Sequence, residues 1–335
     1  MSRMRSLLII VWLAVTLPFT YGGCIVVFQS GNVNQQPDKQ QSNDGDPSFR
    51  FVGATSQAVI DPATAVDLAG GALAAGLSEL QPAVAATSKS SGQADMDSLR
   101  SLRLPLTLGR ALQMIDLKPT GLRLFRQTAD TRRGTLVGSC GGWMDYSIQL
   151  DSISGEFDGS LAFRDYCEPG LTLSGKVLAD GSFDPSSGDP LTATFQLDSL
   201  TDYPMTLDGE MSLDFSDQPI LATIECYAQD VDSGRVYWMN DYSVNLYEMP
   251  GRAEAEVFGR FYHPDYGYVS VSTNAAFVLE DGDQWPAAGE LRIDGLGRAH
   301  AKLTALAGQL YTVETDIDGD GVFEGSSDIR SWPLR

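Results

Sequence analysis

At 335 residues the chain is long enough for one large or two ordinary domains, and a hydrophobic content of 43% provides for a buried core, which excludes a disordered chain. Lysine and arginine total 23 against 44 aspartates and glutamates, a formal net charge of −21. Such a surface repels nucleic acid and anionic lipid headgroups, so nucleic acid is excluded as a partner and cation binding or simple solubility is what the charge serves.

The first predicted element is an export leader over residues 1–23. Arg3 and Arg5 form a short positive start, and Leu7 to Phe19 is apolar apart from Thr16 and Pro18. Tyr21, Gly22, Gly23 and Cys24 follow. This resembles a bacterial lipobox, in which small residues precede a cysteine that is acylated on its thiol and becomes the new N-terminus. Gly22 and Gly23 fit that pattern, whereas Tyr21 stands where an aliphatic residue is usual. The resemblance implies lipidation at Cys24 and a membrane partner reached through that lipid. An uncleaved anchor over Leu7 to Phe28 is the alternative, because roughly 20 apolar residues can span a bilayer; plain secretion is the third. All three place the body outside the cytoplasm.

Residues 24–48 are then a lipidated cysteine and a polar tether, since Gln35, Gln36, Gln40, Gln41 and their Asn and Asp neighbours cannot build a core. Residues 49–135 read as a helical and irregular segment that packs on a sheet. Asp61 and Pro62 form an N-cap and first-turn pair, opening an alanine-rich helix to about Leu80 that contains Gly70, Gly71 and Gly76. Ser88 to Asp97 is a polar break, and a second short helix is expected after Pro105.

From about Leu136 to Glu324 the apolar period becomes two, defining a β domain over residues 136–335. Met205, Leu207, Gly209, Met211, Leu213 and Phe215 alternate with Thr206, Asp208, Glu210, Ser212, Asp214 and Ser216. The same pattern runs through Leu191 to Leu197, Ile220 to Cys226 and Ala253 to Phe261, with turn residues such as Asp184 to Pro190 and Asp281 to Pro286 between. The expected fold is mainly β: a long antiparallel meander of about a dozen strands, closed or curled as a barrel, half-barrel or sandwich, with one or two N-terminal helices packed on it. Acidic wet faces exclude a membrane-spanning barrel.

With Cys24 assigned to lipid, three cysteines remain. Cys140 and Cys167 are the expected disulfide, because about two strands and a turn separate them, and Cys226 reads as a buried small hydrophobe. Near the C-terminus Asp316, Asp318, Asp320 and Glu324, with Gly319 and Gly321, match the opening of an EF-hand loop, in which hard carboxylates wrap a hard cation. Calcium is therefore the candidate cofactor. The glutamate expected at the twelfth place is missing; Ser327 stands there. A metal-free acidic hairpin, with Tyr311 to Ile317 and Val322 to Glu324 as strands, is the other reading. Seven of the twelve tyrosines lie between Tyr227 and Tyr268. Trp238, Tyr262, His263, Tyr266 and Tyr268 are the candidate ligand-binding group, suited to a sugar or another flat ring, with cross-strand packing as the alternative.

No nucleophile elbow, zinc-protease, phosphate-loop or dinucleotide motif occurs, and His263 and His300 are the only histidines. No catalytic residue is assigned, although a hydrolase using paired carboxylates stays open. The leader, Cys24, tether, alanine-rich helix, Cys140-Gly141-Gly142, Tyr166-Cys167 and the closing Asp-x-Asp-Gly-Asp-Gly together resemble uncharacterised envelope lipoproteins of Gram-negative bacteria. The resemblance implies a cell-envelope location, in the outer membrane facing the periplasm or the surface, and no activity. The expectation is an envelope protein with a structural or interaction role, whose partners are other envelope proteins or glycans. Its rivals are a carrier of a lipid or other hydrophobic ligand in the curled sheet, and a carbohydrate-binding or calcium-stabilised surface protein.

Overall fold

The computed structural model describes residues 50–77, 103–118, 129–168, 171–280 and 285–332. The leader, Cys24 and the tether lie outside the described residues, as do Ser78 to Leu80 of the first expected helix and the polar break.

Alternation produces strands wherever the apolar period is two. The order is Ala129–Val137 (β1), Gly141–Asp151 (β2), Glu156–Glu168 (β3), Leu171–Phe183 (β4) and Pro190–Asp202 (β5). Met205–Asp214 (β6), Ile220–Asp230 (β7), Val236–Met249 (β8), Arg252–His263 (β9) and Gly267–Glu280 (β10) follow. Ala288–Asp294 (β11), His300–Leu306 (β12) and Leu310–Asp316 (β13) complete the run. Each strand pairs antiparallel with the one before it, and the two-residue strands Gly325–Ser326 (β14) and Arg330–Ser331 (β15) both pair with β13. The sheet is not closed: it is a mainly β antiparallel meander whose open ends fit a curled sheet.

One face is dry. On β7 Ile220, Ala222, Ile224, Cys226 and Ala228 are buried while Leu221, Thr223 and Glu225 are exposed, and the corresponding residues of β2 to β13 join one hydrophobic cluster. Burial of this face is the main stabilising term, at about 25 cal/mol per Å² of apolar surface removed from water. Curvature has local causes. Pairing slips between Phe163 and Tyr166, between Leu197 and Leu200, and between Asn240 and Ser243. Each slip contains one left-handed residue, Asp165, Ser199 or Asp241, and opposite each stands a glycine, Gly142, Gly175 or Gly259. Such bulges bend and twist a sheet.

The helix Ala65–Leu77 (α1) packs against the dry face. Asp61 Oδ1 accepts the Ala63 and Thr64 N–H groups, each at 2.8 Å. The Thr64 N–H is the main reason the Asp61 carboxyl is held below the usual range. Every residue from Ala65 to Ala75 is buried except Asp67, since alanines and the Gly70-Gly71 pair keep the helix surface thin enough for close packing. α1 packs on β9, β11, β12 and β13, and the Tyr242 hydroxyl of β8 donates to the Ala72 carbonyl. Arg103–Met114 (α2) holds Pro105 in its first turn, where a missing N–H costs nothing. It buries Leu104, Leu108, Ala111 and Leu112 and exposes Arg110, Gln113 and Met114.

β1 begins at Ala129 rather than near Leu136. Its inner positions are Asp130, Arg132, Gly134 and Leu136, so charge hides the alternation. Arg132 lies 3.3 Å from Asp130 and donates to the Lys118 carbonyl at 2.6 Å. Inward charge on an edge strand opposes pairing with another chain, and β14 and β15 cover the opposite edge.

Candidate functional site

Three features carry the residues singled out from the sequence. The first is the disulfide, which forms between Cys140 and Cys167 with Cα atoms 5.2 Å apart. It ties the β1–β2 turn to the end of β3, where Ser139 also donates to Glu168 at 2.6 Å. Cys226 is buried, and desolvation pushes its thiol far up, away from nucleophilic chemistry.

The second is aromatic, and the five candidate residues divide between the two faces of the sheet. Trp238, Tyr262 and Tyr268 occupy the wet face in register, joined by Tyr227: Tyr227 pairs with Trp238, Trp238 with Tyr262, and Tyr262 with Tyr268. Ring centroids along this ladder are 5.8, 4.3 and 5.1 Å apart. Phe51 closes over it at 6.0 Å from Trp238 and 5.9 Å from Tyr262. His263 points the other way and is buried, stacked on Tyr266 at 4.3 Å and edge-on to Tyr237 at 5.4 Å. Its Nδ1 accepts the Asp265 N–H at 3.2 Å, and the Tyr266 hydroxyl reaches Asp67 of α1 at 3.4 Å. The division follows from the period of β9, which sends Tyr262 and His263 to opposite faces. Tyr227 and Phe51 were not read from the sequence. Tyr227 was within reach, since its neighbour Cys226 faces the core; Phe51 comes from a segment far away in the chain and carries no periodic signal.

The third is the acidic loop after β13. Carboxylate oxygens of Asp316, Asp318, Asp320 and Glu324 lie within 4.8 Å of one another, so the cluster could hold a metal ion. Asp316 is buried, and its two oxygens accept the Gly319 and Gly321 N–H groups at 2.6 and 2.8 Å. Burial acts to raise its carboxyl, but the Gly321 and Gly319 N–H groups and His300 outweigh it and hold the group below the usual carboxylate range. Glu324 accepts the Ile317 N–H at 3.0 Å, which folds the ninth position back on the second. The side chain of Phe323 lies edge-on to His300 at 5.6 Å and beneath Lys302 at 4.7 Å. Ser327, at the twelfth position, donates and accepts bonds with the Val313 backbone and so belongs to the sheet. Residues 322–324 are not a strand; the return pairing starts at Gly325.

His263 stacks among tyrosines, and His300 Nε2 lies 3.6 Å from Asp316. Comparison with protein-family models, with curated proteins and with solved structures finds no match to this chain.

Proposed function

We propose that the chain is an exported cell-envelope protein, anchored through lipid on Cys24, whose acidic β body has a structural or interaction role and no enzymatic one. The observation that carries this reading is the Cys140–Cys167 disulfide in a body that follows a lipobox-like leader, since disulfides persist in oxidising compartments outside the cytoplasm. α1 covers the dry face at β9 and β11 to β13, where a carried hydrophobic ligand would need room, which favours an interaction role over a carrier.

The anchor is tested by expressing the wild type and Cys24→Ser in a Gram-negative host and measuring intact mass and membrane fractionation. The wild type is expected at the mass of a chain starting at Cys24 plus its acyl groups. Cys24→Ser is expected to lose them. A Cys24→Ser protein that behaves like the wild type, at the mass of the unprocessed chain in both, would replace the lipid by an uncleaved leader.

A second reading rests on the convergence of the four carboxylates after β13. In it the loop binds calcium and the ion clamps the C-terminal strands. Calcium at 100 times its Kd adds about 2.7 kcal/mol to the folded state, so millimolar calcium is expected to raise the melting temperature of the body. Asp318→Ala, which removes one exposed carboxylate, is expected to abolish the rise. Equal melting temperatures with calcium and with chelator would end this reading.

A further inference from the structure

The chain reaches α1 by an unusual route. Residues 50–57 run over the wet face, Ala58 and Ile60 are buried, and α1 lies on the dry side. The strap therefore passes through the plane of the sheet, beside β10 beyond the point where β11 has ended. Gln57 forms a single parallel bridge with Tyr268. The Ala54 N–H donates to the Pro264 carbonyl at 3.0 Å, the Tyr268 N–H to the Ser56 carbonyl at 3.0 Å, and the Ala58 N–H to the Tyr268 carbonyl at 2.8 Å. The passage is built for the strap. A Cβ at Gly267 would lie 2.1 Å from the Ser56 carbonyl oxygen, and one at Gly295 would lie 2.7 Å from that of Ala58. The ring of Phe51 joins the strap to the aromatic ladder, while Val52 is 91% exposed.

These features separate two parts with different stability. At Ala58 and Ile60 the chain enters the core. Before that point, the strap's contacts include these backbone bonds, the Gln57 side chain on the Asp294 carbonyl at 3.5 Å, the Phe51 ring on the Trp238–Tyr262 ladder, and the Arg50 charge near Tyr227. Segments with few buried contacts open well below the global unfolding free energy. We infer that residues 50–57 are a releasable latch, closed by Phe51 on the outer aromatic ladder, which sets how much chain lies between the anchor and the body. Opening it leaves the core intact and frees residues 50–57, about 26 Å of extended chain. The role in reach rests on the proposed anchor at Cys24; the latch itself does not.

Hydrogen exchange of the full chain, read by mass spectrometry, tests it. In Phe51→Ala the amides of Ala54 and Tyr268 are expected to exchange about tenfold faster or more, with the amides of β4 to β8 and the melting temperature unchanged. Phe51→Trp, which restores a ring, is expected to recover the protection. Unchanged strap exchange in Phe51→Ala overturns the latch, as does acceleration that appears only together with β4 to β8. The same measurement on Cys24→Ser separates the two ideas: strap behaviour that persists there keeps the latch even if the lipid anchor fails.

Discussion

Phe261→Ala is expected to lower the unfolding free energy by about 3–5 kcal/mol, a large share of the roughly 5–15 kcal/mol that holds an ordinary domain together. Phe261 is fully buried on β9, stacked on Tyr237 with centroids 6.0 Å apart, and paired with Met239 and Val269, both buried as well. Its removal leaves a cavity in the dry face, on one of the strands that α1 packs against. Tyr268→Ala, on the wet face of the adjoining strand, is expected to cost only about 1 kcal/mol, the scale of a cross-strand aromatic contact. Equilibrium unfolding in urea measures both. Equal losses would mean that the two faces are not divided as described.

Removing the disulfide is expected to cost nearly as much. Cys140 and Cys167 are separated by 27 positions, and closing a loop of that length in the unfolded chain is worth about 3–4 kcal/mol. The Cys140→Ser, Cys167→Ser double variant is expected to melt lower than the wild type and to ignore added reductant, whereas the wild type falls to the same value when reduced. Because the bridge pins β1 and β2 to β3, early hydrogen exchange in the variant is expected first at that end of the sheet. A wild type indifferent to reductant after verified reduction would show that the bridge adds nothing to stability.

The meander was legible because one face is wet. Met205 to Leu213 and Ile220 to Cys226 each write the period of a half-buried strand directly, with apolar residues buried at every second position and their neighbours partly or fully exposed. The disulfide was legible for the same reason, since counting strands between two cysteines gives their distance in the sheet. β1 was hidden because its inner row carries Asp130 and Arg132, so the edge that most needs protection is the one that least resembles a strand. The bulges left a trace that is read only afterwards: Gly142, Gly175 and Gly259 interrupt their strands where the facing strand gains a residue. The aromatic group, adjacent in sequence, is divided between the two faces of the sheet. Tyr262, His263 and Tyr266 are neighbours in the chain, yet parity alone sends Tyr262 outward and His263 inward, and Phe51 reaches the ladder only through the completed fold. In the acidic loop the carboxylate spacing was readable, but the commitment of Ser327 to the sheet was not, because it depends on the register of Val313.

The packing of α1 sets a condition on biosynthesis. Leu77 closes the helix, and β9, the earliest of the strands it packs on extensively, begins at Arg252. A chain that emerges from its N-terminus, from the ribosome or on the far side of a membrane, presents this alanine-rich apolar helix before those strands exist. The strands of the meander can pair as they emerge, each with its predecessor, but the helix has no complete partner until the last ones are present. The body is therefore expected to depend on a holding chaperone until its last strands have emerged where it folds, and truncations that remove β11 to β13 would leave α1 as the aggregation-prone element.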